Sequence, residues 1–329
     1  MDDKRRLWVG TYDGLNIYNE ADDSFWSIKS SEIQDESLSH NSVRCIFKDS
    51  QGGMWLGTYW GGLNYYHPLC NRFQNIKHVP MLNSLSDNVV NCIVEDDKNN
   101  LWIGTSGGGL NYYDNARKTY KSYLFSTDAH GVPFKDIKTV YMDKPMGKVY
   151  VGAHAGGMMV VDRKSGHVEY YNRQNSNLPS NHIYSIISDG GRGLWVASLE
   201  HLLHFDADKR TFTVVSKTEG RMGMPRNNRV LFRDSRQRIW LGGEKGITVM
   251  KQTGDSLVPD TDVVIDPVLN QAFVNCFYES PECIWIGTRN GLFAMQEKTV
   301  THCCSTPRPM VCPVMLCTEF LKMVMAGYG

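Results

Sequence analysis

Short stretches in which apolar residues alternate with polar ones recur along this chain. In NSVRCIFKDSQGG, which starts at Asn41, the apolar residues Val43, Cys45 and Phe47 fall on alternate positions. A period of two predicts a β-strand. The Asp-x-x-Gly run that follows predicts a turn, because Asp bonds its own backbone and Gly accepts a positive φ. Signals for helix are nearly absent, so the pattern predicts strands joined by tight turns.

A second apolar block, typified by LWIGTSGGGLNYYD at Leu101, recurs along the chain. Its anchor aromatics are Trp8, Trp55, Trp102, Tyr150, Trp195, Trp240 and Trp285. Successive anchors are 47, 47, 48, 45, 45 and 45 residues apart. A weaker strand lies around Phe25, Phe73, Tyr120, Val168 and Phe212. Three or four strands in each such repeat make one propeller blade. We therefore predict an all-β protein, a β-propeller of about seven four-stranded blades over residues 1–300.

The anchor aromatics could stack on sugars or pack between neighbouring blades. A residue present in every blade serves what every blade shares, which is the core, so the pattern favours packing. Ligand-binding residues should instead differ from blade to blade, as they do in the turn after each anchor strand. The candidates are Tyr12, Asp13, Tyr59, Trp60, His154, Glu200, His201, Arg289 and Asn290, with Glu244 and Lys245 in the same turn of another repeat. Tyr59 and Trp60 stand out, because paired exposed aromatics stack well on sugar faces. The alternatives are that these turns are ordinary solvated loops or that they contact a second propeller.

Charge and hydropathy exclude some partners. The chain has 35 basic and 35 acidic residues, so there is no basic field for a nucleic-acid backbone. No run of about twenty apolar residues occurs, so no membrane contact is predicted. The residues after Met1 lack the features of a signal peptide, and the chain as written is expected to stay in the cytoplasm.

The reactive residue types give no catalytic or metal-binding pattern. Three of the nine cysteines, Cys45, Cys92 and Cys276, occupy one slot of three repeats and are predicted to be small core residues. No metal-ligand spacing is present, and we predict neither metal nor cofactor. His201 and His204 lie three apart on a strand and should point to opposite faces. Glu200 with His201 has no identifiable nucleophile or orienting partner, so no catalytic residue is predicted.

The repeat Asn-x-Val-x-x-Ile…Asp-x-x-Gly-x-Leu-Trp-Ile-Gly-Thr-x-x-Gly-Gly-Leu-x-x-Tyr-Asp resembles the two-component regulator propeller repeat. The resemblance covers about Leu7 to Met295, with Tyr150, Ala197 and Gly243 as departures. Repeats of this family build the periplasmic sensor region of hybrid two-component systems in Bacteroides-type bacteria.

The resemblance implies a parent protein that senses oligosaccharides and controls glycan-utilisation genes. Such a parent is periplasmic in its sensor region and is expected to be a homodimer. It would also contain a second propeller, a β-sandwich domain and a histidine kinase, which would be the partners of this chain. No kinase motif occurs in this sequence, so the resemblance implies ligand sensing without catalysis.

Two other functions stay open. VYVGAHAGGMMVVDRKSGHVEYY at Val149 resembles a repeat of quinone-dependent dehydrogenase propellers, and a glycan-cleaving propeller is a related alternative. Only this blade carries that likeness, and no set of carboxylates clusters in the sequence. A pure protein-interaction scaffold would have the same fold and differ only in its ligand.

Residues 301–329 break the pattern of the repeats. Read out of frame from Met310 onwards, the genetic code permits a further repeat, with a Trp at the position of Gly329. We therefore predict that this tail is a frame-shifted blade and that the closing blade of the propeller is incomplete, as in a fragment of a longer sensor.

Overall fold

The computed structural model describes residues 1–2, 4–19, 23–31, 37–67, 70–123, 134–199, 201–217, 229–253, 256–281, 283–289, 291–296, 299–302 and 322–323. Within them, the chain forms β-strands joined by turns, with a 3-10 turn at Leu269–Gln271. The strands are β1 (Leu7–Thr11), β2 (Gly14–Asn19), β3 (Ser24–Ile28), β4 (Val43–Lys48), β5 (Met54–Thr58), β6 (Leu63–His67), β7 (Cys70–Ile76), β8 (Val90–Glu95), β9 (Leu101–Thr105), β10 (Leu110–Asp114), β11 (Thr119–Tyr123), β12 (Ile137–Asp143), β13 (Lys148–Ala153), β14 (Gly157–Asp162), β15 (Val168–Tyr171), β16 (Ile183–Ser188), β17 (Gly193–Ser198), β18 (His201–Asp206), β19 (Thr211–Lys217), β20 (Val230–Arg233), β21 (Ile239–Gly242), β22 (Ile247–Thr253), β23 (Ser256–Pro259), β24 (Val274–Glu279), β25 (Ile284–Thr288), β26 (Gly291–Gln296), β27 (Thr299–His302) and β28 (Lys322–Met323).

The strands assemble into seven sheets whose members follow the chain. Five of the sheets have four strands each: β8 to β11, β12 to β15, β16 to β19, β20 to β23 and β24 to β27. In the sheet of β4 to β7, β28 adds a fifth strand parallel to β4. These sheets are the blades of a seven-bladed β-propeller, which confirms the predicted fold class. The first blade has three strands among the described residues, β1 to β3, in agreement with the predicted incomplete blade.

The predicted tail falls mostly outside the described residues. Strand β27 runs through His302 and pairs with β26, and β28 is the other described part of the tail. The frame-shifted origin of residues 301–329 stays a prediction.

Contacts divide the chain into two compact units: unit 1 comprises residues 1–144 with 317–329, and unit 2 comprises 145–316. Each unit has apolar clusters that join consecutive blades. In unit 1, Trp8 and Leu15 pack with Val43 and Leu56. In unit 2, Trp195 belongs to a cluster that reaches Leu231, Leu241 and Met250 of the next blade.

Burial confirms that the anchor aromatics are packing residues. Six of the seven are buried, namely Trp8, Trp55, Trp102, Tyr150, Trp195 and Trp240, and Trp285 is half-buried. A buried indole has no face open to a sugar, so the row of stacking platforms is excluded. Cys45, Cys92 and Cys276 are also buried, which confirms them as core residues.

Local chemistry explains why the anchor strand ends in Gly-Thr. The Thr58 hydroxyl donates to the carbonyl of Gly62 across the turn (2.9 Å), and Thr105 does the same to Gly109 (2.8 Å). At Gly57, an added Cβ would collide with the Cys45 sulfur and with Val90 of the next blade. Glycine therefore permits the close approach of two blades, and threonine closes the turn that follows.

In two blades, an asparagine ties the sheet to the loop that leads into it. The Asn111 side chain accepts a hydrogen bond from the Ser86 amide (3.0 Å) and donates to the Ser86 hydroxyl (2.7 Å). Asn64 makes the same pair of bonds with Ser39. Both asparagines are fully buried, so these bonds replace water that cannot reach them.

Replacing Asn111 with alanine should lower the free energy of unfolding by about 2–3 kcal/mol, because the Ser86 amide loses its partner and a cavity forms. Urea unfolding monitored by tryptophan fluorescence measures this loss. Asn270 is exposed, and Asn270→Ala is the matched control, expected within about 0.5 kcal/mol of the parent. Equal effects of the two variants would contradict a stabilising role for the buried amide.

Candidate functional site

Backbone hydrogen bonds fix where the candidate turns lie. In four blades, the residue after the anchor strand donates its amide to the carbonyl of the residue just before the first strand. The donor and acceptor pairs are Tyr59 and Ser42 (2.9 Å), Ser106 and Val89 (2.9 Å), Leu199 and His182 (3.2 Å), and Arg289 and Phe273 (3.0 Å). These residues therefore lie at the same end of their blades. We call this end of the blades, within each unit, the turn surface. It consists of the side chains of the turn after each anchor strand and of the residues that precede or begin each first strand.

In unit 1, the turn surface carries four side chains that we call the aromatic cluster: Tyr12, Arg44, Tyr59 and Trp60. The rings of Tyr59 and Trp60 meet edge to face, with centroids 4.7 Å apart. The Arg44 guanidinium lies over the Tyr59 ring (4.9 Å) and donates to the Tyr12 hydroxyl (3.1 Å). Trp60 is 62% exposed and Tyr12 is 40% exposed. The structure thus brings three predicted site residues together around an arginine that the sequence analysis missed.

Asp13 has a different neighbour. Its carboxylate pairs with the Lys29 ammonium (2.6 Å), and its backbone amide donates a hydrogen bond to the Thr11 hydroxyl oxygen (3.1 Å). Both charged groups of the Asp13 and Lys29 pair are about half exposed, so solvent screens their attraction. Asp13 closes the turn beside Tyr12 and has no described contact with the aromatic cluster.

In unit 2, the turn surface carries a series of cationic and aromatic side chains from four consecutive blades. We call these residues the basic belt: His154, His182, Tyr184, Arg229, Phe273 and Arg289. The His154 and His182 rings lie 4.5 Å apart, and His154 also faces Tyr184 (6.4 Å). The series therefore begins with two imidazoles packed beside a phenol.

The belt continues through two guanidinium groups. The guanidinium of Arg229 lies over the rings of both Tyr184 (5.2 Å) and Phe273 (5.3 Å). That of Arg289 lies 3.7 Å from the centroid of the Phe273 ring. Glu244 bonds Arg229, with 3.0 Å between the carboxylate oxygen and the guanidinium nitrogen. The belt thus places two cations against one phenyl ring.

Burial and charge both act on His182. Desolvation lowers the pKa of His182, and the charge of the nearby His154 lowers it further. The pKa falls because the charged imidazolium is disfavoured when it is shielded from water and when another positive charge is near. At neutral pH the His182 imidazole is therefore neutral.

The remaining predicted residues have other positions. Glu200 and Asn290 lie outside the described residues, so their assignment stays a prediction. His201 begins β18 and is half-buried, and its carbonyl accepts the Ser198 hydroxyl (3.2 Å).

His204 has a structural role on the same strand. Its Nε2 atom lies 2.8 Å from the Asp189 carboxylate, and its ring packs against Trp195 with centroids 4.8 Å apart. In the described part of the chain, no three His, Cys, Asp or Glu side chains are grouped to hold a metal. Nor do the described residues include a helix with the length and hydropathy of a membrane span.

Five functional candidates, Phe273 among them, were missed because they precede or begin the first strand of a blade. Arg44, His182, Tyr184 and Arg229 all fall in the Asn-x-Val block, where the sequence analysis looked only for strand periodicity. Aligning that block across repeats would have shown that these positions vary as much as the turns do. Variation at two aligned sites of the repeat is the signal that could have found them.

The arrangement of the sheets defines the class of this protein as a β-propeller. Residues 37–60 and 84–107 match the two component regulator propeller model. These two stretches therefore match the repeat that the sequence motif resembles.

Three known proteins resemble the chain. Histidine kinase P4 from Formosa agariphila is 28% identical over 242 residues, which cover 73% of this chain and 14% of that protein. The extracellular domain of the hybrid two component system BT4673 from B. thetaiotaomicron has a TM-score of 0.67 at 19% identity, over 94% of this chain and 48% of that one. The extracellular domain of BT3049 from the same organism has a TM-score of 0.59 at 19% identity, over 92% and 57%. The chain therefore spans a small part of the curated relative and about half of the structural ones.

Proposed function

We propose that this chain is a ligand-sensing propeller of a hybrid two-component sensor histidine kinase, and that its ligand is an oligosaccharide. The observation that carries the proposal is the aromatic cluster. Its exposed Trp60 and Tyr12 offer apolar ring faces, and the Arg44 guanidinium offers donors beside them. Sugars present apolar C–H faces edged by hydroxyl groups, and such a surface is complementary to both features.

The arrangement of the cluster favours binding over ordinary solvation. An exposed tryptophan costs free energy in water, and here the Tyr59 ring braces it from the side. The Tyr59 backbone is in turn bonded to the Ser42 carbonyl, so the platform is fixed before a ligand arrives. Preorganisation of this kind reduces the entropy cost of binding.

The parent protein completes the proposal. The relatives support a parent with a histidine kinase, and the family resemblance adds a second propeller, a β-sandwich domain, a homodimeric state and a periplasmic sensor region. In this scheme the propeller binds the glycan and does no chemistry itself. The kinase and the later steps of signal transduction, which lead to glycan-utilisation genes, belong to other domains.

Replacing Trp60 with alanine should weaken oligosaccharide binding at least tenfold, because an aromatic anchor typically contributes more than about 1–2 kcal/mol. The measurement is isothermal titration of the chain with defined neutral and uronate-containing oligosaccharides. Trp26 is 61% exposed and lies on β3, away from the described contacts of the cluster, so Trp26→Ala is the matched control. Its affinity should equal that of the parent.

Two results would overturn the proposal. One is that no oligosaccharide of the panel binds the unsubstituted chain, while the chain retains a single protein partner in a pull-down. That outcome favours a protein-interaction scaffold. The other is that Trp26→Ala and Trp60→Ala weaken binding equally, which would place the ligand elsewhere.

A further inference from the structure

The basic belt of unit 2 is positively charged, although the chain as a whole is neutral. The whole protein has a formal net charge of +0. Yet one surface holds two guanidinium groups, and Glu244 is the described carboxylate that pairs with Arg229. Among the described residues, the Arg289 guanidinium has no carboxylate within 4.0 Å. A local excess of positive charge attracts anions to that surface.

The geometry of the belt leaves the donors of the exposed Arg289 available, whereas Arg229 already uses its Nη2 atom for Glu244 and its Nε atom is covered. Arg229 and Arg289 both lie over the Phe273 ring, at 5.3 and 3.7 Å from its centroid. Stacking uses the flat face of a guanidinium, whereas its N–H groups point outward in the plane. The exposed Arg289 guanidinium therefore presents an edge that matches the paired oxygens of a carboxylate or a sulfate, and the Nη1 atom of Arg229 can add a further donor.

Two nitrogen atoms of the belt lack internal partners. Arg229 Nε and His182 Nδ1 are covered, and neither has a hydrogen bond within the described part of the structure. A buried polar atom without a hydrogen-bond partner lowers the stability of a folded protein. A bound anion could supply the partner that these two atoms lack within the described residues.

Comparison of the repeats indicates that the belt is a site and not a part of the common blade. The position of Phe273 is occupied by Ser42 and Val89 in unit 1, and that of Arg289 by Ser106. The blade fold therefore does not require cations or rings at these positions. In addition, Arg289 is exposed, so packing in the core does not account for an arginine at this position.

We propose that the basic belt binds the carboxylate or sulfate group of an acidic saccharide, with Arg229 and Arg289 as its ligands and Phe273 as the apolar wall. The inference rests on the proposed function in taking the ligand to be a saccharide. Binding of the anionic group itself depends only on the belt.

The test uses nuclear magnetic resonance of the full chain with D-glucuronate, D-glucose 6-sulfate and D-glucose as probes. Both anionic sugars, or one of them, should shift the ring resonances of His154 and His182, and D-glucose should not. The probe that binds more tightly identifies the source of the anion as carboxylate or sulfate. Arg289→Gln should weaken that binding at least fivefold.

The matched control is Arg192→Gln, because Arg192 pairs with Asp208 (2.9 Å) at the turn between β16 and β17, at the other end of the strands. Its affinity for the anionic sugar should equal that of the parent. If neither anion binds, if D-glucose shifts the same resonances, or if Arg192→Gln weakens binding as much as Arg289→Gln does, the inference is wrong. Neutral oligosaccharides that bind through Trp60 while no anion binds would leave the proposed function intact and remove only this inference.

Discussion

Replacing Asp234 with alanine should lower the free energy of unfolding by about 3–5 kcal/mol, because it removes the nearer partner of a buried cation and leaves Asp260, at 3.9 Å, as its remaining carboxylate. The Asp234 carboxylate accepts bonds from the Arg238 amide (2.8 Å), the Arg238 Nε (2.6 Å) and the Trp240 indole (2.9 Å). Arg238 is itself mostly buried and lies over the Trp240 ring, 5.3 Å from its centroid. One carboxylate thus holds the turn, the cation and the anchor of its blade.

Urea unfolding of the parent and the variant measures this loss. Asp208 is the matched control, because it also pairs with an arginine, Arg192, but both side chains are largely exposed. Asp208→Ala should change the free energy of unfolding by no more than about 1 kcal/mol, since solvent screens an exposed ion pair. If Asp234→Ala were as mild as the control, the carboxylate would not support the blade.

The second large effect concerns an anchor aromatic. Trp195→Ala should cost about 3–5 kcal/mol of unfolding free energy, because it empties a large volume in a packed core. Trp195 is among the largest fully buried side chains, and its cluster includes Leu202, Ile239 and Leu241. The neighbouring backbone belongs to paired strands, which limits how far the site can collapse around the cavity.

The same unfolding measurement tests this expectation, with Trp60→Ala as the control. Because Trp60 is exposed, its removal should change stability by less than about 0.5 kcal/mol, although it should abolish most ligand binding. The two tryptophans therefore separate stability from recognition. A stability loss of similar size in both variants would contradict the division between packing anchors and surface aromatics.

The sequence was sufficient to predict the fold, because the blade is repeated and each copy confirms the others. The spacing of Trp8 and Trp55 set the repeat, and the alternation in β4 set the strand. Burial of the anchor row followed from its presence in every blade. The interpretation of Tyr59 and Trp60 as adjacent rings on an exposed turn also agrees with the structure.

The contacts of the candidate sites could not be obtained in the same way. Arg229 lies over Tyr184, and the two residues are one repeat apart in the sequence. The repeat predicts that such residues are neighbours, but side-chain torsions decide whether a guanidinium stacks on a ring or turns to a carboxylate such as Glu244. Those torsions depend on packing that a single sequence does not specify.

The backbone bond from Tyr59 to Ser42 has a consequence for how such propellers diversify. Because main-chain atoms alone make this bond and its equivalents, it does not depend on the identity of the side chains at the turn surface. Substitutions there leave the architecture of the blade unchanged. Natural variation can therefore change the specificity of one blade at a time at little cost in folding, and laboratory libraries confined to these positions should retain the fold.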